Sequence, residues 1–230
     1  MTALHEPGAL TAPAEDCLKA VYDIERARQG AAVTTNDLAH RLGVAPASVT
    51  GMVKRLADQG LVTHEPYHGV RLTDRGRRAA LRTLRRHRVI ETYLVQALGY
   101  PWDRVHDEAE RLEHSASDEL VDRMAAAIGE PTVDPHGAPI PTREGGIVED
   151  AAVRPLTALA VGDRAMIARV TDEDGDRLRY LGSLRITPGT RIEVVEQEPF
   201  GGAIVVRAGG KLRRLAPALA AQVLVSPARD

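Results

Sequence analysis

Cysteine is nearly missing from this sequence: Cys17 stands alone. That excludes an internal disulfide framework and a zinc site built on paired cysteines. Aromatic residues are also scarce, with one Trp, one Phe and five Tyr in 230 residues. Proteins that grip RNA or single strands stack bases on aromatic platforms, so this shortage argues against that class. It argues equally against an aromatic-lined pocket for an organic ligand or substrate. No apolar run approaches the length of a membrane span, and the N-terminus lacks the basic patch and apolar stretch of a signal peptide. The expectation is a cytoplasmic protein with no membrane partner. Excess charge is missing too, since the formal net charge is −2.

The distribution of charge says more than its sum. From Arg71 to Arg88 the chain is strongly basic, whereas HDEAERLEH (106–114) and VED (148–150) are acidic. One region suits phosphates and another suits cations. Residues 1–13, rich in Ala, Gly, Pro and Thr, read as a mobile tail. A helix is expected from Ala14, with Cys17, Leu18, Val21 and Ile24 on one apolar face. Cys17 then reads as a small core residue.

Residues 33–62 follow the grammar of a helix-turn-helix. Thr35 or Asn36 caps a short helix that turns Leu38, Ala39 and Leu42 inward. Gly43 supplies the tight turn, Pro46 opens a second helix with Val49, Val53 and Leu56 inward, and Gly60 closes it. The next residues, LVTHEPYHGVRLTD, read as two short strands around a turn containing Pro66 and Gly69, and a hairpin in that place makes a wing. The exposed face of the second helix carries Ala47, Ser48, Thr50, Gly51 and Lys54. Ser48 and Thr50 suit base edges or phosphates, and Ala47 suits a thymine methyl. Lys54, Arg71 and Arg75 suit phosphates, and Thr35 is grouped with these DNA contacts. None is a bidentate Arg–guanine reader, so part of the specificity is expected to come from DNA shape.

A long helix is predicted over 74–98, and two more over about 102–114 and 117–128. Helices in this place usually pair with a second subunit, and a symmetric dimer would match two half-sites on double-stranded DNA. Residues 129–155, dense in Pro, Gly, Asp and Thr, read as a linker, narrowed to 142–154 in the domain division. The β-rich runs RAMIARV, RIEVVE, AIVVR and QVLV then predict a small barrel over 155–230. The expected class is mainly α: a winged helix-turn-helix over 14–75, a helical domain over 76–141 and an all-β C-terminal domain.

The chemistry concentrates in two helical segments. His106, Glu110, Glu113 and His114 stand at relative positions 0, 4, 7 and 8, within an arc of roughly 100°. His87 and Glu91 form a second pair at i, i+4 on the preceding helix. Side-by-side packing would bring six ligating side chains together. A solvated acidic face is the bland alternative, and two His/Glu pairs on successive helices argue against it. His64 and His136 lack such company and read as surface residues.

The segments DLAHRLGVAPASVTGMVKRLADQGLV, RRHRVIETYL, VHDEAERLEH and DPHGAPIP resemble the diphtheria-toxin-repressor family of metal-dependent repressors, including its manganese-sensing branch. The resemblance runs from about Ala14 to the C-terminus, where TDEDGDRLRYLGSLRITPG is similar to that family's SH3-like (FeoA-like) domain. It implies a homodimeric repressor switched on by a divalent ion. Carried over by position, the primary metal site would be Asp16, Glu110, Glu113 and His114. The neighbouring site would be His87, Glu91 and His106, completed by Asp172 or Asp174 of the barrel. Iron-sensing members place Met and Cys where this chain has Asp16 and Glu110, and the sulfur-free set implies Mn²⁺. Some manganese-sensing relatives use a further Glu three residues after the first Asp. Lys19 stands there, which puts their binuclear arrangement in doubt.

The implied function is repression of genes of manganese homeostasis. The alternative within the fold is an iron(II)-dependent repressor of iron uptake. A metal hydrolase is the rival outside it, and it is disfavoured because a catalytic metal site needs a pocket and an open coordination position, and a cluster formed at a domain hinge is a poor reaction vessel. A winged-helix repressor answering to an organic ligand is the third reading, weakened by the shortage of aromatics.

Overall fold

A computed structural model describes residues 10–28, 30–65, 69–148, 150–171 and 173–228. The helices are α1 (Ala12–Ala27), α2 (Thr35–Leu42), α3 (Pro46–Asp58), α4 (Asp74–Leu98), α5 (Val105–Leu112), α6 (Asp118–Ala127), α7 (Gly175–Ser183) and α8 (Pro217–Ala220). The strands are β1 (Val62–Glu65), β2 (Gly69–Leu72), β3 (Arg154–Pro155), β4 (Arg164–Val170), β5 (Arg191–Gln197), β6 (Ile204–Ala208), β7 (Lys211–Leu215) and β8 (Val223–Pro227). Two compact units result: 1–86 with 113–116 and 141–146, and 87–112 with 117–140 and 147–230. The division falls within α4, at 86/87.

In the first unit, α1 begins at Ala12 with a proline in its first turn, two residues earlier than the sequence suggests. Its apolar face buries Cys17, Leu18 and Val21 with Leu38 of α2 and Val49, Val53 and Leu56 of α3. Each fully buried aliphatic chain contributes roughly 1.5–3 kcal/mol relative to exposure. The cap of α2 differs from the expectation of Thr35 or Asn36. Thr34 is the cap, and its hydroxyl accepts from the Asp37 amide at 3.1 Å while the Asp37 carboxylate accepts from the Thr34 amide at 3.1 Å. The reason is spacing, because a reciprocal capping box needs an acid three residues after the cap. Gly43 ends α2 in the left-handed region at φ 64°.

β1 and β2 form the antiparallel wing, with Thr63 opposite Arg71. Its tip, with the predicted turn residue Pro66, lies outside the described residues. Gly76 lets α4 start against the hairpin, since a Cβ there would come within 1.9 Å of the Leu61 carbonyl oxygen. The Glu25 carboxylate on α1, itself buried, accepts the Leu72 amide at 3.0 Å and ties the wing to α1.

In the second unit, six antiparallel strands run in the order β3-β8-β4-β5-β6-β7. Register shifts in β4 and β5, one in each, mark β-bulges that curl the sheet around Ile167, Val194, Leu181 and Val206. The short β3, the basic β7 and helix α7 were not read from the sequence. In β7, KLRRL carries the charge that edge strands use against pairing with other chains, which hides it from a hydrophobic-alternation test.

The first half of the predicted linker is packed structure. Residues 132–140 form a turn closed by Val133 pairing with Pro139, and Ala138 and Ile140 are buried. The His136 carbonyl accepts from the Val170 amide of β4 at 2.8 Å. Gly137, at φ 86°, sits where a Cβ would meet the Ala168 carbonyl oxygen at 2.0 Å.

Candidate metal centre

The first cluster grows from one side of α1 and the end of α5. Glu15, Asp16 and Lys19 share the flank of α1 beside its apolar face, at i, i+1 and i+4. Glu113 and His114 follow directly after the last residue of α5. The His114 Nε2 lies 2.9 Å from Asp16 Oδ1 and 3.6 Å from Glu113 Oε1, and Nδ1 lies 2.7 Å from Glu15 Oε2. Arg86 holds Glu15 from the other side at 3.2 Å. Lys19 Nζ reaches Glu113 Oε1 at 2.7 Å, and Glu113 is 0% exposed.

Burial opposes a charged His114, but the hydrogen bond to Glu15 and the fields of Asp16, Glu113 and Glu15 win, and its pKa is raised. Ligand atoms of Asp16, Glu113 and His114 lie within 4.8 Å of one another. Two carboxylates and an imidazole held this close suit a divalent cation. Sulfur takes no part: the neighbouring Cys17 thiol is pushed up to about 11, first by burial and then by the charge of Asp16.

The second cluster joins α4 and α5 through their i, i+4 pairs. His87 Nε2 lies 3.1 Å from Glu91 Oε1, and His106 Nδ1 lies 3.5 Å from the same oxygen. Glu110 Oε1 stands 3.5 Å from His87 Nδ1 and 3.9 Å from His106 Nε2. Glu110 thus gathers with His87 and His106, because the i, i+4 step from His106 carries it there. The resemblance had grouped it with Asp16. Ligand atoms of His87, His106 and Glu110 also lie within 4.8 Å of one another.

His136 corrects the sequence reading, which left it on the surface: it is buried. Its Nε2 lies 2.8 Å from the Trp102 carbonyl oxygen, and its Nδ1 faces Glu91 Oε2 at 3.8 Å. Asp134 Oδ1 accepts the amides of His136 and Ala138 at 2.8 and 2.9 Å, while Oδ2 lies 3.5 Å from Arg88 Nε. Asp134, His136 and Glu91 also lie close enough to share an ion. Within this group, Asp134 and His136 are also held by backbone groups and by Arg88. The available signal was DPHGAPIP, in which Pro135 and Gly137 form a turn flanked by apolar residues. Burial alone would raise Glu91, yet the charge of His87 and hydrogen bonds from His106, His136 and His87 hold its pKa well below the carboxylate range.

Asp174, expected as a barrel ligand, is the exposed N-cap of α7, accepting from the Asp176 and Arg177 amides at 2.9 and 3.1 Å. It belongs to none of the metal-capable groups among the described residues. Asp172 lies outside the described residues. Ala47, Ser48, Thr50, Gly51 and Lys54 are all exposed on α3, and Thr35 is half-buried at the start of α2. The Thr50 hydroxyl donates to the Pro46 carbonyl at 3.0 Å. Arg71 and Arg75 are exposed, and each donates to a backbone carbonyl, of Gly30 and Gln59 respectively.

Comparison with known proteins decides the family. The profile of the iron dependent repressor N-terminal DNA binding domain matches residues 9–70. That of the iron dependent repressor metal binding and dimerisation domain matches 73–142, and that of the FeoA domain matches 154–227. The iron-dependent repressor IdeR of Mycobacterium tuberculosis is 32% identical over 207 residues, covering 84% of this chain and 87% of that one. The chain belongs to the diphtheria-toxin-repressor family. The diphtheria toxin repressor of Corynebacterium efficiens is 29% identical over 218 residues, 90% of this chain and 92% of that protein. A solved manganese-dependent transcriptional repressor in complex with manganese is 40% identical with a TM-score of 0.84, covering 94% of this chain and all of that one. As a diphtheria-toxin-repressor family member, this chain is a metal-dependent, DNA-binding transcriptional repressor with a dimerisation domain, and not an enzyme. Its C-terminal sheet is the family's SH3-like FeoA domain. No helix among the described residues is long and apolar enough to cross a membrane.

Proposed function

We propose that this protein is a manganese(II)-activated repressor of manganese homeostasis genes, binding a two-fold symmetric operator as a homodimer. The observation that carries the metal is the sulfur-free donor set of Asp16, Glu113 and His114, with His87, Glu91, His106 and Glu110 as a second set. Carboxylate and imidazole donors suit the hard ion Mn²⁺ by ligand type. The 40% identical solved relative is manganese-dependent by its description, which supports the same choice.

A bound divalent ion supplies fixed positive charge, which lets Asp16 and Glu113 sit together without mutual repulsion. Asp16 anchors the first half of α1, while Glu25 near its other end holds wing strand β2. Ordering Asp16 against Glu113 and His114 therefore steadies the helix on which the wing rests. α3 presents Ala47, Ser48 and Thr50 to base edges, and Lys54, Arg71 and Arg75 meet phosphates. A dimer brings two such faces to half-sites about 34 Å apart.

An iron(II)-dependent repressor is the second reading, favoured by the 32% identity to an iron-dependent relative. A gel-shift titration on the protein's own promoter separates the two, run with chelator, Mn²⁺, anaerobic Fe²⁺ and Zn²⁺. Restoration by Mn²⁺ at lower free concentration than Fe²⁺ supports the proposal. Strict preference for Fe²⁺ overturns it.

A further inference from the structure

The first cluster already contains a cation. Lys19 Nζ lies 2.7 Å from Glu113 Oε1, its side chain is 12% exposed, and Glu113 is fully buried. A carboxylate out of water needs a charge partner, and Lys19 is placed as one for Glu113. The same Glu113 oxygen lies 3.6 Å from His114 Nε2, so the ammonium sits on an atom of the group that gathers Asp16, Glu113 and His114. Arginine dominates the cations of this chain, and Lys19, Lys54 and Lys211 are its only lysines. An ammonium is a compact point charge on a flexible stem, whereas a guanidinium clamps a carboxylate through two parallel bonds.

We propose that Lys19 is a tethered competitor for the ion. It neutralises Glu113 while the cluster is empty, repels an arriving dication, and so sets the metal concentration at which the repressor responds. This rests on the reading of Asp16, Glu113 and His114 as the ion's ligands. The ammonium and the ion draw on one carboxylate, so the resting charge of the site and its affinity for metal move in opposite directions. Removing the charge makes the metal-free cluster less stable and the loaded one tighter.

The test is Mn²⁺ binding to the full-length protein, followed by the electron paramagnetic resonance signal of the free ion, with melting temperatures in chelator and in Mn²⁺. Lys19→Gln keeps a donor for Glu113 and removes the charge. It is expected to bind Mn²⁺ at least ten-fold tighter, about the effect of one removed like charge near a ligand. Its metal-dependent rise in Tm also exceeds that of the wild type. Lys19→Arg keeps the charge and binds no tighter than wild type. Unchanged or weaker binding by Lys19→Gln overturns the proposal, as does equal tightening by Lys19→Arg. Asp16→Asn runs alongside. If it binds Mn²⁺ as wild type does, the cluster is not the ion's site and both readings fall. If it loses binding while Lys19→Gln is unchanged, only the role of Lys19 falls.

Discussion

The two clusters use the same donor types in different proportions. On α1 and after α5, three carboxylates (Glu15, Asp16, Glu113) surround one imidazole, and Lys19 and Arg86 balance the excess. In the second, the buried carboxylate of Glu91 on α4 faces three imidazoles, His87 of the same helix, His106 of α5 and His136 of the 132–140 turn, with Glu110 beside the first two. The first arrangement is rich in carboxylates and keeps resident cations, Lys19 and Arg86, beside them. The second meets its buried carboxylate with imidazoles. Resident charge therefore decides what each cluster asks of its surroundings, more than the inventory of ligands does.

The largest effect that would break this comparison is expected at Glu91. Glu91→Gln removes the negative charge that three histidines share and destabilises the metal-free fold by about 3–5 kcal/mol, the usual cost of breaking a buried charged pair. Chemical denaturation in chelator measures it, and a loss below 1 kcal/mol would show that Glu91 is not the electrostatic centre of its cluster. The sign follows from its lowered pKa. The stabilisation is present above the unfolded carboxylate pKa and is lost as pH falls through the lower folded value.

At the first cluster the effect falls on binding. Asp16→Asn should weaken the metal response of operator binding by about 5- to 150-fold, the ordinary range of coupling between sites, with little change in metal-free stability. A gel shift in saturating Mn²⁺ checks it, and a full response from the variant would sink the assignment.

Protons sharpen the contrast further. His114 has a raised pKa, so its imidazolium stabilises the metal-free fold below the unfolded pKa and this stability fades as pH rises through the folded value. An ion must displace that proton, so apparent Mn²⁺ affinity should rise with pH by up to about ten-fold per unit until His114 is neutral. Calorimetry in buffers of different ionisation enthalpy reads the released proton. Flat affinity over the roughly two units from pH 6 to pH 8 would contradict it.

A smaller effect is expected at Glu15, which holds the Nδ1 of His114. Glu15→Gln should cost about 10-fold in Mn²⁺ affinity, at the low end for a group that orients a ligand histidine. Smallest is Lys54→Ala, which should weaken operator binding alike across sequences and lower the salt slope by about 1.

Much of the fold was legible because its signals are local. The 3.6-residue period marks α4 over its full length, and Gly43 and Pro46 punctuate the helix-turn-helix. The i, i+4 pairs His87/Glu91 and His106/Glu110 were legible for the same reason. What escaped depends on contacts distant in sequence. Lys19 could be read as a departure from relatives, but its hold on Glu113 joins positions 94 residues apart. His136 looked like a loop residue because its partners, Trp102 and Glu91, lie on other elements. Thr34 was missed by one residue because an Asx- or Thr-type cap is plausible at each of Thr34, Thr35 and Asn36, and only the reach of Asp37 distinguishes them.

Gly137 carries a consequence for how this protein can be shortened. Its missing side chain lets the 132–140 turn lie flat on β4, where the His136 carbonyl takes the Val170 amide. The C-terminal sheet therefore acts as the floor beneath a buried histidine that faces Glu91. A truncation after residue 142 would remove that floor and leave the histidine cluster resting on an unsupported turn. For this chain, modularity in the sequence does not amount to independence in the fold.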